Sequence, residues 1–158
     1  MKQTKFIHYQ YIPIEELPED EQSLLASAME ATEKAYAPYS EFQVGAAVLL
    51  EGGEIFLGNN QENRAYPSGM CAERTVLYYI GAIGKGAAIR KIAVRAKCVN
   101  APVLKPVTPC GACRQVMVEY EEQTQKEIVV LMMGEEGNVL RIQGVKHTLM
   151  PFSFDAEF

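Results

Sequence analysis

Residues 42–59 read FQVGAAVLLEGGEIFLGN. Two apolar runs, Phe42 to Leu50 and Ile55 to Asn59, flank Glu51-Gly52-Gly53-Glu54. A glycine pair between strand-like runs predicts a β-hairpin, because the tight turns that suit strand twist need positive φ. Upstream, Pro18 to Ala37 reads as a helix. Glu19, Asp20 and Glu21 suit its positive end, Leu24, Leu25, Ala28, Met29 and Thr32 recur at helical spacing, and Ala37-Pro38 stops it. Downstream, Cys71 to Ile83 is a helix ended by Gly84 and Gly86, and Ile89 to Ala96 is a strand. The proline-bearing stretch Cys98 to Pro109 is a loop and Gly111 to Glu122 a further helix. Ile128 to Met133 and Val139 to Ile142 are the last strands, and a short helix and a tail follow. This order predicts an α/β fold, a three-layer α/β/α sandwich with a mixed five-stranded sheet. No repeat or linker interrupts it, so residues 1–158 form one domain with residues 1–18 as an N-terminal extension. That extension has some β character over Phe6 to Ile12.

At 158 residues and 48% hydrophobic, the chain has the composition of a globular domain. Its net charge of -5 makes it a poor default partner for a polyanion, since phosphate contacts need clustered Lys and Arg. No apolar run reaches membrane-spanning length, and the N-terminus lacks the pattern of a signal peptide. The expected location is the cytoplasm. Four cysteines then read as thiols or metal ligands rather than disulfides.

Two segments concentrate the chemistry: Cys71-Ala72-Glu73-Arg74 and Pro109-Cys110-Gly111-Ala112-Cys113-Arg114. Both open a predicted helix after a loop. Cys110 and Cys113 are three apart and share one face of a first helical turn. Unpaired N–H groups and the helix dipole at such a start favour thiolate. Alone, the Cys110/Cys113 pair also fits a structural zinc half-site or a redox pair. With Cys71 it makes three soft ligands for one Zn²⁺ per chain, and a three-ligand site keeps the open position of a catalytic zinc. Cys98 as a fourth ligand would close it, so Cys98 is read as a buried or loop thiol. Residues two apart point to nearly opposite faces within a helix. Cys71 must therefore lie at or just before the helix start if Glu73 is to reach the same site. Glu73 then acts on water there as a proton carrier without ligating the metal.

These two half-sites resemble the zinc signature of nucleobase deaminases. The chain is similar to the cytidine deaminase family, in its small all-cysteine-ligand branch, from about Ala35 to Phe154. Ala35-Tyr36-Ala37-Pro38-Tyr39-Ser40-Glu41-Phe42-Gln43-Val44-Gly45-Ala46-Ala47 resembles the family's first block. Gly58-Asn59-Asn60-Gln61-Glu62-Asn63 resembles its sugar-binding block, and Leu149-Met150-Pro151 with Phe154 its C-terminal block. The resemblance implies hydrolytic deamination of cytidine and 2′-deoxycytidine in pyrimidine salvage, with Cys71, Cys110 and Cys113 on zinc and Glu73 shuttling protons. Asn60 and Glu62 would bind the sugar, Phe42 would pack on the pyrimidine, and the backbone near Ala72 and Thr108 would hold the base edge. Arg74 follows the glutamate as in that branch. Three thiolates on one Zn²⁺ leave a net negative site, and a guanidinium bonded to the sulfurs would restore its acidity. The resemblance also implies a homotetramer, in which Phe154 covers the pyrimidine in a neighbouring subunit's site opposite Phe42. Three features depart from the pattern: Arg64 in place of a small residue, a long loop from Lys97 to Val107, and the N-terminal extension.

Other functions share this core. A nucleic-acid editing deaminase needs a basic channel and stacking aromatics, which the acidic balance and the sugar-binding block argue against. A deaminase of another aminopyrimidine, such as a blasticidin-type antibiotic, has no need of the Asn60/Glu62 pair. A non-catalytic zinc module leaves Glu73 without a role. His8 and His147 have no partner motif, Tyr78 and Tyr79 read as packing residues, and Glu119, Glu121 and Glu122 as a solvated helix end.

Overall fold

The computed structural model describes residues 6–155. In chain order its elements are β1 (Tyr9–Ile12), α1 (Glu19–Thr32), β2 (Phe42–Leu50), β3 (Ile55–Asn59), α2 (Ala72–Ala82), β4 (Ile89–Cys98), α3 (Gly111–Thr124), β5 (Val129–Met133) and β6 (Val139–Gln143), with short 3-10 turns between some of them. The expected hairpin is present: β2 and β3 pair antiparallel with Gly45 opposite Asn59 and Leu49 opposite Ile55. Gly53 turns the chain at φ +85°.

All strands join one sheet in the order β1-β6-β5-β4-β2-β3. Only β4 and β5 run parallel, joined through α3, and every other pairing is antiparallel. Helices cover both faces, as expected. Ala47, Leu49, Ala93, Leu131 and Val139 pack with Leu24, Leu25 and Ala28 of α1. On the opposite face, Ala46, Val48, Ile92, Val94 and Val130 pack with Val76, Leu77 and Ile80 of α2 and Met117 of α3.

The sheet has six strands rather than five. The sixth is β1, from the N-terminal extension, which pairs with β6 from Tyr9 opposite Ile142 to Ile12 opposite Val139. Ile12, Ile14 and Leu17 then pack on the α1 side of the core, which ties this part of the extension to the sheet. Residues 1–5 of the extension lie outside the described residues.

Helix α1 ends at Thr32, five residues short of Ala37. Pro38 disfavours helix at the residue before it, and Tyr36 bonds across to a second segment instead. Its N–H donates to Asn60 O at 3.0 Å, and its carbonyl accepts from Glu62 N at 2.8 Å. The short helix expected after β6 is a turn. Glu121 accounts for this: its carboxylate accepts from Val145 N, Lys146 N and Ile128 N. It is buried, not part of a solvated helix end, while Glu119 and Glu122 are exposed.

Two glycines set how closely helices approach the sheet. A Cβ on Gly45 would lie 2.0 Å from Ala28 O, so α1 rests directly on the β2 backbone. A Cβ on Gly58 would lie 2.7 Å from Ala72 O and 2.8 Å from Val76 Cβ. That contact seats the first turn of α2, and with it Cys71 and Glu73, against the end of the hairpin.

One buried ion cluster ties α1 to the sheet. Glu21 is fully buried and accepts from Lys91 Nζ at 2.9 Å and from Arg141 Nε and Nη2 at 2.9 and 3.0 Å. Burial alone would raise the carboxyl pKa, but the bonds from Arg141 and Lys91 outweigh it and hold the group low. Removing Glu21 leaves the half-buried Arg141 without a carboxylate partner and Lys91 with Asp20 alone, at 2.7 Å. Glu21→Ala is expected to cost about 3 kcal/mol of stability near neutral pH, measured by urea unfolding. Because the folded pKa lies below the unfolded value of about 4.3, this contribution is complete above that pH. It is lost as pH falls through the lower folded value, so the difference between parent and variant is expected to shrink in acid.

Candidate active site

Helices α2 and α3 both begin at a cysteine. Cys71 and Cys110 occupy the positions just before α2 and α3, with extended backbone (ψ 152° and 165°), and Cys113 lies one turn into α3. This is the placement of Cys71 that the Cys71–Glu73 spacing demanded. Cys71 Sγ lies 3.7 Å from Cys110 Sγ, and Cys110 Sγ lies 3.4 Å from Cys113 Sγ. All three sulfurs fall within 4.8 Å of one another. Tetrahedral zinc with Zn–S bonds of about 2.3 Å separates its sulfurs by roughly 3.8 Å. The donor set and its spacing therefore fit a zinc ion. Cys98 ends β4 opposite Phe42 and is not part of this cluster.

The surroundings favour thiolate at Cys71. The Cys71 thiol is lowered to about 5, chiefly by a hydrogen bond from Cys113 and then by Arg74, against the opposing effect of burial. Cys113 is pushed up by the same contact with Cys71 and by burial. Arg74 Nη2 lies 3.6 Å from Cys71 Sγ, and its Nε is buried without a protein partner. The guanidinium thus sits against the sulfurs, where it offsets their negative charge.

Glu73 is 4% exposed on the first turn of α2. Burial raises its pKa, and Cys71 adds to this, while its own backbone N–H and Cys113 oppose. It borders a cavity of about 710 Å³ that also takes in Cys71, Ala72, Arg74 and Cys110. Phe42, Asn60 and Glu62 form part of the same wall. Asn60 accepts from Val44 N at 2.8 Å and donates to Phe42 O at 2.9 Å, extending the β2 ladder past the end of β3. Glu62 accepts from Tyr39 N at 2.9 Å and from Ser40 N and Oγ, which hold its carboxyl below the usual range. Each side chain keeps hydrogen-bonding capacity beyond these contacts: a second N–H on Asn60 and further lone pairs on Glu62.

The opposite wall comes from the long loop before α3. Arg114 donates to Pro109 O at 2.7 Å, to Thr108 Oγ1 at 3.3 Å and to Leu149 O at 3.2 Å. Glu135 accepts from Val103 N at 3.0 Å and Cys98 N at 3.3 Å, anchoring the far end of the loop. Buried Arg95 holds the Gly134 and Glu135 carbonyls in turn. Sequence reasoning missed all three residues. Arg114 carried one signal, its position directly after Cys113. Arg64 is exposed.

Residues 18–132 match the family model for the cytidine and deoxycytidylate deaminase zinc-binding region. The chain belongs to this deaminase family. It is 40% identical over 138 residues to a cytidine deaminase of Halalkalibacterium halodurans, covering 87% of this chain and 96% of that protein. It is 46% identical over 101 residues to one from Sporosarcina psychrophila, covering 64% and 70%. The crystal structure of cytidine deaminase from Burkholderia pseudomallei superposes with a TM-score of 0.73 at 37% identity, covering 87% of this chain and all of that one. The region matched by the deaminase family includes all three clustered cysteines and Glu73. Of the residues expected at a deaminase site, ten come together here: Cys71, Cys110, Cys113, Glu73, Arg74, Ala72, Thr108, Phe42, Asn60 and Glu62. Phe154 does not line the cavity of its own chain, and the residue is 72% exposed.

Proposed function

We propose that this protein hydrolyses the 4-amino group of free cytidine and 2′-deoxycytidine, giving uridine or 2′-deoxyuridine and ammonia. The observation that carries this reading is a buried carboxylate, Glu73, beside a three-sulfur cluster of which Cys71 and Cys110 line the same cavity. Cys71, Cys110 and Cys113 would hold one zinc ion per chain, which supplies the Lewis acidity that activates water near neutral pH. Arg74 neutralises part of the thiolate charge. Water adds at C4 of the ring and the C4–N bond breaks. Glu73 takes a proton from the water and delivers it to the departing nitrogen, which leaves as ammonia. Burial keeps this carboxyl easier to protonate than a free one, which suits a group that must both accept and return a proton.

Phe42 offers the pyrimidine an apolar face, and the unpaired N–H groups at the start of α2, at Ala72, face its polar edge. Asn60 and Glu62 take the sugar hydroxyls. They are already fixed by Phe42, Val44, Tyr39 and Ser40, so they meet the sugar without further ordering. The free thiols suit a reducing cytoplasm, and turning a free cytosine nucleoside into a uracil nucleoside is a step of pyrimidine salvage. Assembly as a homotetramer is supported by exposed apolar groups on α2 and the edge strand β3, namely Tyr78, Tyr79, Ile55 and Leu57, and by Phe152 and Phe154 in the tail. In the tetramer, Phe154 covers the base in a neighbouring subunit's cavity.

Ammonia release compared across substrates tests this reading. Cytidine and deoxycytidine are expected to react. Cytosine base should be slower by about a hundredfold or more in kcat/KM, because it lacks the sugar contacts that orient it. Single-stranded oligonucleotides should not react. Turnover of oligonucleotides in preference to nucleosides would refute the proposal.

A further inference from the structure

One side chain holds both the amide and the carbonyl of a tail residue. Gln115 Oε1 accepts from Phe154 N at 2.9 Å, and Gln115 Nε2 donates to Phe154 O at 3.1 Å. Lys146 Nζ adds an ion pair to Asp155 at 3.0 Å. Three successive residues of α3 thus serve three parts of the site. Cys113 belongs to the sulfur cluster, Arg114 braces Thr108, Pro109 and Leu149, and Gln115 grips the tail. Chain ends fray unless tied down. A residue held at both backbone groups has its Cα–Cβ direction set by the holder, and a primary amide supplies donor and acceptor together.

What the grip presents is a phenyl ring in water. Phe154 is 72% exposed and Phe152 is 93% exposed. With its backbone on Gln115, the Phe154 ring stays outside the cavity of its own chain. Ordering a tail to expose an aromatic ring brings an isolated chain no burial. It does bring a benefit where the ring enters a second copy.

We propose that Gln115 is the positioning residue for Phe154: its amide aims the ring at a neighbouring subunit's cavity and so sets nucleoside affinity without touching the nucleoside. This rests on the reading of Phe154 as the cover of that cavity. The anchor lies two residues from Cys113, so the covering ring of one site is referenced to the metal cluster of another.

The test uses the full-length zinc-loaded enzyme with Gln115→Ala, Gln115→Met, Phe154→Ala and the double variant Gln115→Ala/Phe154→Ala. Two lost hydrogen bonds are expected to raise KM for cytidine roughly three- to tenfold, with kcat within about twofold of the parent. Calorimetric titration with uridine should show the same weakening. Zinc content and particles of about four chains by light scattering should be unchanged. Gln115→Met keeps the length but neither bond and should behave like Gln115→Ala; recovery of parental KM by Met would reduce Gln115 to a packing role and overturn the proposal. The double variant should match Phe154→Ala alone, since both act through one ring. Multiplying effects would show that Gln115 acts elsewhere. An unaltered KM in Phe154→Ala would instead remove the covering ring itself, a failure separable from that of Gln115.

Discussion

Glu73→Gln is expected to retain zinc and fold while losing activity by at least about a hundredfold in kcat. The substitution keeps the side chain's length and volume, so the packing of the first turn of α2 is preserved. What it removes is the ability to accept and return a proton. Glu73 stands outside the three-sulfur cluster, so zinc content by elemental analysis should match the parent. Stability should not fall, because the change takes an ionisable group out of a site where burial already disfavours its charge. KM should change little if Glu73 acts mainly in the chemical step, which gives a kcat-specific defect. Loss of zinc from the variant would make Glu73 a ligand rather than a proton carrier. Near-parental turnover would leave the buried carboxylate without a chemical role.

The parts of this site that were legible in the sequence are those whose chemistry is carried by neighbours in the chain. Cys71 and Glu73 can share a site only if the helix starts between them, and α2 does start at Ala72. Cys110 and Cys113 sit one turn apart, so a helix start brings their sulfurs together wherever it lies in the fold. The hairpin was legible because Gly52-Gly53 marks its turn. What escaped was held by contacts between distant residues. The β character of Phe6 to Ile12 was legible but its place in the sheet was not: β1 is exposed at Tyr9, Gln10 and Tyr11 and pairs with β6 through its backbone, so no burial pattern announces the pairing. Glu121 looked like one more surface acid because its backbone partners Val145 and Lys146 lie 24 and 25 residues away. Arg95 meets the carbonyls of Gly134 and Glu135 across 39 and 40 residues. Asn60 and Glu62 stood out only by their place in a resembling block. The structure adds a physical account: both brace the β2 approach to the cavity.

Cys110→Ala is expected to lose most of the bound metal while keeping the fold, the reverse of the Glu73 result. Cys110 Sγ lies 3.7 Å from that of Cys71 and 3.4 Å from that of Cys113. Its removal leaves a two-sulfur site, which gives up much of the affinity of three thiolates for zinc. The side chain itself is exposed and contributes nothing to the apolar core, which is built from the sheet and helix residues on its two faces. Far-UV circular dichroism should therefore be unchanged. Elemental analysis should fall from about one zinc per chain to a small fraction of that, with activity falling alongside. Stability gives a second readout. A ligand bound only by the folded state raises Tm with its free concentration. Added zinc should raise the Tm of chelator-treated parent protein but not that of Cys110→Ala. Retention of a full equivalent of zinc by Cys110→Ala would mean the metal is held by other groups. Collapse of the fold would make the ion structural, because the sheet and its two packed faces would then need it to form.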